Sequence, residues 1–278
     1  MADKIYVDKA KIIRGKPFAI NDFITIYQHS IGEITEYGEK EFYSTFHTMC
    51  SAPWDIPAML DDMGVYFMDI NEWELFVMFH SIYTQKATSM LLGDLDISKF
   101  VPMAREKEFP EGADVEMLNE KDRYEIVLQD EEGHIIDEDV YHTLVAYISE
   151  IINFQHKNKR PGNKTTANIL IDTDRREQKR KAAKDEPFES FIYDSVISLV
   201  NTEELSYTYE TIFDLTLYQF TKSLIQIQGK KSAMALLQGS MSGFCDTSKV
   251  PKEDMQWMYS DDKYKPHGKK LINQSVKK

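Results

Sequence analysis

Residues 187–257 read PFESFIYDSVISLVNTEELSYTYETIFDLTLYQFTKSLIQIQGKKSAMALLQGSMSGFCDTSKVPKEDMQW, and this stretch decides the fold class. Phe188, Ile192, Val196 and Leu199 recur at spacings of three and four, which is one face of an α-helix. Pro187 suits a first helical position, where its missing N–H costs nothing. The pattern predicts a helix as far as Asn201 and resumes with Tyr209, Ile212, Phe213, Leu217, Phe220, Leu224 and Ile227. That second face is broad and aromatic, as in a helix buried on more than one side. Gly229 reads as the glycine that ends it in a left-handed conformation, and Lys230 and Lys231 suit the carbonyl end of the helix dipole. Ala233, Leu236 and Leu237 predict a short third helix that ends at Gly239. The whole stretch reads as a helical core and holds no catalytic signature.

Moving outward, 278 residues suffice for one large domain or two ordinary ones. A hydrophobic fraction of 42% supports a real core and excludes wholesale disorder. The formal charge of −13 disfavours general binding to nucleic acid or anionic membranes, although a local basic patch escapes that argument. Cys50 and Cys245 are too far apart in sequence to suggest a disulfide framework or a metal quartet, which fits a reducing compartment. The first residues, MADKIYVDKAK, lack the apolar core of an export signal, and no run approaches the roughly 20 apolar residues of a membrane span. The expected location is the cytoplasm.

The N-terminal half mixes signals. Ile5–Val7, Ile12–Ile13 and Phe18–Ile20, with a turn at Gly15-Lys16-Pro17, predict a small hairpin or a strand with an arm. From Thr25 to Gly38 the periodicity is weak. Phe42, Phe46 and Met49 predict a helix over 39–49, followed by the two-proline breaker of residues 51–57 with Ser51 as a candidate cap. Ala58–Leu60 predicts a helix stopping at Gly64, and Asn71 with Glu74 forms a capping-box signature opening a helix over 72–83. Residues 90–100 read as a loop with a short helix. Arg123–Leu128 and His134–Ile136 alternate about a turn at Glu131–Gly133, the clearest hairpin in the chain. Val140, Leu144, Tyr147, Ile148 and Ile151 then predict a long helix over 138–154.

A polar, breaker-rich run at 157–164 marks the expected boundary. The organisation is therefore a mixed α/β region at 1–156, a polar and basic linker with a helix at 157–186, a helical region at 187–260 and a lysine-rich tail at 261–278. The fold class is α+β, predominantly helical, with small N-terminal and central hairpins and a C-terminal helical bundle.

Chemistry is sparse. Arg175, Arg176, Lys179, Arg180, Lys181 and Lys184 form a basic helix that invites a phosphate-backbone or partner contact. It lacks interleaved aromatics, and Asp172, Asp174 and Glu177 stand where they could pair with its own arginines along a turn. A solvated face, or a contact for another copy's acidic surface, is the favoured reading. Gly239-Ser240-Met241-Ser242-Gly243 fails as a nucleophile elbow because methionine sits at the serine position. His47 and Cys50 have pair spacing without further ligands, and Asp94 with Asp96, or Asp172 with Asp174, lacks the rest of a calcium loop. No phosphate loop, HExxH or dinucleotide fingerprint is present. The expectation is no catalytic, metal or cofactor site, and no enzyme.

Two blocks together carry a resemblance. One runs from Ser51-Ala52-Pro53-Trp54-Asp55-Ile56 to Glu74-Leu75-Phe76. The other comprises Tyr218-Gln219-Phe220, Ile225-Gln226-Ile227, Leu236 to Gly239, Gly243, Asp246-Thr247-Ser248-Lys249 and Trp257-Met258. The arrangement is similar to tail-morphogenesis proteins of tailed bacteriophages infecting Gram-positive bacteria. The resemblance implies a tail assembly chaperone, which holds an apolar tape-measure protein before tube polymerisation, or a structural virion component. Its partners would be the tape-measure or tube protein, with self-association, in the host cytoplasm or the virion. It carries no site residue onto this chain. A nucleic-acid-binding role through residues 175–184 is the alternative from a different class.

Overall fold

The computed structural model describes residues 5–107, 123–184, 188–204 and 206–242. They form an α+β fold that is predominantly helical, with small hairpins in the N-terminal and central parts and a long C-terminal helix. The chain divides into two compact units: Met1–Ile192 with Phe213–Tyr218, and Tyr193–Ile212 with Gln219–Lys278. The polar run 157–163 and the basic helix after it thus belong to the first unit.

In the first unit, helix α1 (Lys9–Ile13) opens on Asp8, whose carboxylate accepts from the Ala10 and Lys11 amides. Ile12 and Ile13 were expected in a strand; a side-chain cap and one buried isoleucine make a single helical turn instead. The hairpin comes later and is shorter, pairing β1 (Phe18–Ala19) with β2 (Thr25–Ile26). Asn21 forms its turn by accepting from the Phe23 and Ile24 amides. The weakly patterned segment after it holds α2 (Ile31–Tyr37), opened by a Ser30–Glu33 capping box.

Helix α3 (Glu39–Cys50) buries Phe42, Phe46 and Met49 as its spacing requires. Ser51 does not cap the next helix. Its hydroxyl is donated to the His47 carbonyl at 2.7 Å, closing α3, and Asp55 takes the capping role by accepting from the Ala52 amide. Helix α4 (Pro57–Asp62) stops before Gly64, as expected. Helix α5 (Glu72–Phe79) has the predicted Asn71–Glu74 box, then tightens into a 3-10 turn at His80–Ile82. Helix α6 (Gln85–Leu92) starts earlier than expected because Thr84 caps it. Gly93 ends it with φ of 61°, and a Cβ there would lie 2.9 Å from the Tyr27 ring, so both backbone and space require glycine.

The central sheet has three antiparallel strands in the order β3-β4-β5: Val101–Glu106, Tyr124–Gln129 and Ile135–Ile136. The β4–β5 hairpin is the one its alternation predicts, whereas β3 had no local signal. Where β5 ends, the Trp73 indole N–H satisfies the Ile126 carbonyl at 3.0 Å. Helix α7 (Glu138–Ile151) buries Tyr141, Leu144, Tyr147, Ile148 and Ile151, with Tyr141 in the place expected of Val140. Tyr141 joins Trp73, Phe76 and Tyr83 in an aromatic cluster at the centre of this unit.

Helix α8 (Lys164–Lys184) and helix α9 (Phe191–Val200) follow. The latter begins three residues later than its periodicity suggests, leaving Phe188 exposed, and Pro187 lies outside the described residues. The buried Glu39 carboxylate accepts from the Ser190 hydroxyl and the Ile192 amide, satisfying an orphan donor of the first turn of α9. Residues 213–218 belong to the first unit through backbone bonds Ile31 N to Leu215 O and Leu217 N to His29 O.

Helix α10 (Leu217–Met241) replaces the predicted pair of helices. It runs through Gly229 and Gly239 without a break. Neither glycine adopts positive φ, so neither acts as a stop. Lys230 and Lys231, expected beyond a helix end, lie in mid-helix and approach Glu204 at 3.9 and 3.8 Å in the second unit. The Gly239–Met241 part of the rejected elbow is helical; Gly243, Cys245, Trp257 and the tail lie outside the described residues.

Candidate functional site

Helix α8 carries every basic residue that the sequence singles out, and its sidedness is set by the buried face. Asn163 opens it by accepting from the Thr166 amide. Ala167, Ile171 and Asp174 follow at spacings of four and three, and all are buried. Asp174 is therefore a carboxylate on an otherwise apolar seam against α4, and such a group must be paired. It accepts from the Ala58 amide at 3.3 Å, from Lys157 Nζ at 2.8 Å and from Gln178 Nε2 at 3.1 Å. Helix α4 has no side-chain cap of its own, so Asp174 also supplies negative charge to its first turn.

The remaining charges of α8 divide between two sides. Lys157 reaches Glu177 at 2.9 Å, and Arg175 reaches Asp61 at 2.8 Å and Asp62 at 2.6 Å. Burial lowers the proton affinity of Lys157, but its bonds to Asp174 and Glu177 outweigh that and raise it. The expected pairing along the helix holds only in part: Glu177 feels the charges of Lys181 and Arg180 on its own helix, but its bond, like that of Asp174, is to Lys157 of the preceding segment, and Arg175 bonds α4. Arg176, Lys179, Arg180 and Lys181 remain exposed. Arg176, Lys179 and Arg180 follow the i, i+3, i+4 spacing of one helical face, whereas Lys181 lies round the helix on the side of Glu177. Asp172 is exposed one turn before Arg176, and Lys184 is the last residue of the helix.

A cleft of about 290 Å³ lies beside the foot of α8, lined by His47, Ser51, Asp55, Asn153, Phe154, Gln155 and Lys157. Asp55 is its most organised group, accepting from the Ala52 and Asn158 amides, with His156 Nδ1 at 2.7 Å. Burial pushes the Asp55 pKa up, but the His156 bond and the two amides outweigh it and hold the carboxyl below its ordinary value. The same bond raises His156. The Asp–His pair does not assemble a nucleophilic triad, because the Ser51 hydroxyl is directed to the His47 carbonyl. His47 is held down by burial, and the fully buried Cys50 thiol is pushed up to about 12 by desolvation, which suits a core residue and not a reactive one.

Among the described residues, one group brings three ligand types within reach of a single cation: Asp130, Glu132 and His134, with ligand atoms within 4.8 Å of one another. Sequence reading missed it, although the i, i+2, i+4 spacing across the hairpin turn was visible. Asp130 is already committed to that turn, accepting from the Glu132 and His134 amides and lying 2.8 Å from His134 Nδ1. The Asp94–Asp96 loop is likewise engaged locally, with Gln85, Ser98 and Lys99.

Helix α9 presents a different kind of surface. Ile192, Val196 and Leu199 are buried, yet Phe191, Tyr193 and Ile197 are exposed at 46%, 62% and 39%. Tyr207 and Tyr209 extend this apolar exposure into the following loop. A helix of ordinary amphipathicity would carry polar residues there.

Residues 183–260 match a family model described as the second domain of YomV. The match covers α9 and α10 and continues past the described residues. No curated protein and no solved structure matches the chain. No helix among the described residues is long and apolar enough to cross a membrane.

Proposed function

We propose that this chain is a non-enzymatic phage tail assembly protein, a chaperone that holds an apolar partner such as the tape-measure protein in the host cytoplasm. The observation that carries this reading is the apolar outer side of α9, where Tyr193 and Ile197, one turn apart, are exposed, with Tyr207 and Tyr209 exposed in the loop that follows. Exposed aromatics of this kind are what a surface for apolar chains requires. The similarity of residues 183–260 to the second domain of YomV falls on the same region, and the resemblance to phage tail-morphogenesis proteins supports the biological setting.

Co-expression with the tape-measure protein tests it directly. The wild-type chain is expected to keep that protein in the soluble fraction, and a Tyr193→Glu, Ile197→Glu variant to lose this while retaining its own fold by circular dichroism. A variant that remains fully effective refutes the surface. The second reading, a structural virion component, differs in where the chain ends up. Quantitative mass spectrometry of purified particles separates the two: a fixed ratio to the major tail protein makes it structural, and absence from particles despite abundance in infected cells makes it a chaperone.

A further inference from the structure

We propose that the outer face of α8, formed by Arg176, Lys179 and Arg180, binds the phosphate backbone of duplex nucleic acid. The inference rests on how the helix spends its charges and is independent of the chaperone reading. Each acid in its second half is drawn inward or sideways: Asp174 is buried against Ala58 N and Lys157, and Glu177 is bonded to Lys157. Arg175, the cation facing α4, is taken by Asp61 and Asp62. From residue 175 onward the exposed outer face carries Arg176, Lys179 and Arg180, with Glu177 on its flank close enough to act electrostatically on Arg180 and Lys181. A cationic strip of this kind complements the phosphates of a backbone.

Arg176 and Arg180 are one turn apart, a rise of about 6 Å, so both can face one nucleic-acid backbone. No aromatic residue stands among Arg176, Lys179 and Arg180, so the face offers no platform for unpaired bases, which favours a duplex over a single strand. The formal charge of −13 makes binding weak and confines it to this face. Asp172, exposed one turn before Arg176, bounds the strip on its N-terminal side.

Fluorescence anisotropy of a labelled duplex oligonucleotide with the full chain is the test. Three phosphate contacts predict that raising salt from about 50 to about 200 mM weakens binding roughly fortyfold. Arg176→Glu with Arg180→Glu is expected to lower affinity at least tenfold, and Lys86→Glu, an exposed control elsewhere, to leave it unchanged. If the double reversal perturbs folding, Arg176→Gln with Arg180→Gln is read instead. The proposal is overturned by no binding at about 50 mM salt, or by a double variant within twofold of the wild type. Tighter binding of polyglutamate than of the duplex at equal charge would also overturn it, and would assign the face to an acidic protein segment.

Discussion

The two long helices, α8 and α10, are held in the fold by opposite means. Helix α8 buries only Ala167, Ile171 and the charged Asp174, and its position is fixed by Lys157, Asp61, Asp62 and the Ala58 amide. Helix α10 buries Leu217, Tyr218, Phe220, Ile227 and Ala233, a predominantly apolar set. An apolar face is non-directional and tolerates many neighbours, whereas a buried carboxylate needs particular donors at particular distances. The difference also shows in how α8 uses its acids: Asp174 and Glu177 are engaged by Lys157, and Asp172 stays exposed.

The largest effect belongs to the apolar helix. Phe220 is fully buried, and Phe220→Ala is expected to destabilise the protein by about 4 kcal/mol through lost transfer energy and the cavity left behind. Denaturant unfolding measures this, and the loss should be the same at low and high salt. A strongly salt-dependent loss would mean that α10 too relies on charge.

Asp174→Ala tests the other side. It leaves the Ala58 amide without its partner and removes the Lys157 bond, at an expected cost of about 2 kcal/mol. Hydrogen exchange should rise first in α4 and α8 and leave α10 protected. Uniform loss of protection would show that the charged seam is not a local fastening.

These two cases also show what a sequence discloses. The Asn71–Glu74 box and the β4–β5 hairpin were legible because each signal lies within a few residues. The Ser30–Glu33 box carries the same signature, yet the weak periodicity around it concealed a real helix. Strand β3 was invisible because it contains Pro102 and pairs with β4 at a distance in sequence, from Val101 with Gln129 to Glu106 with Tyr124. For the basic helix, the residues were legible and their partners were not: Glu177 stands one turn from Arg180, but Lys157 and the α4 amide are brought close only by the fold. The exposed side of α9 was hidden for a related reason, since an apolar residue in sequence does not declare whether anything covers it.

Gly239 sharpens the account of α10 with a smaller effect of the opposite sign. If the helix stopped there, glycine would be required and alanine would destabilise. In a continuous helix at a partly exposed position, Gly239→Ala is expected to stabilise by about 0.5–1 kcal/mol, through lower entropy of the unfolded chain and better helix propensity. A raised midpoint of thermal unfolding supports continuity, and a lowered one restores the turn.

The smallest expected effect is a pH dependence confined to the charged region. His156 is raised from its ordinary value of 6.5, first by its bond to Asp55, against the opposing effect of burial. A raised folded-state pKa contributes stability that is fully present below the unfolded value and is lost as pH rises through the folded one. The stability gap between wild type and His156→Gln should therefore be open at pH 6, and close as the solution becomes basic. On the acid side, the depressed Asp55 carboxyl keeps the pair ionised until pH falls below its ordinary value of 3.8, and the gap closes again as Asp55 protonates. Because His156 is nearly half exposed, solvent screening limits the gap to about 0.5 kcal/mol. The corresponding gap for Phe220→Ala should stay flat across the same range, since no ionisation is involved. If the His156→Gln gap is flat as well, Asp55 and His156 share a neutral hydrogen bond. The segment that presents Lys157 to α8 is then fixed by its backbone bond from Asn158 to Asp55 and not by charge.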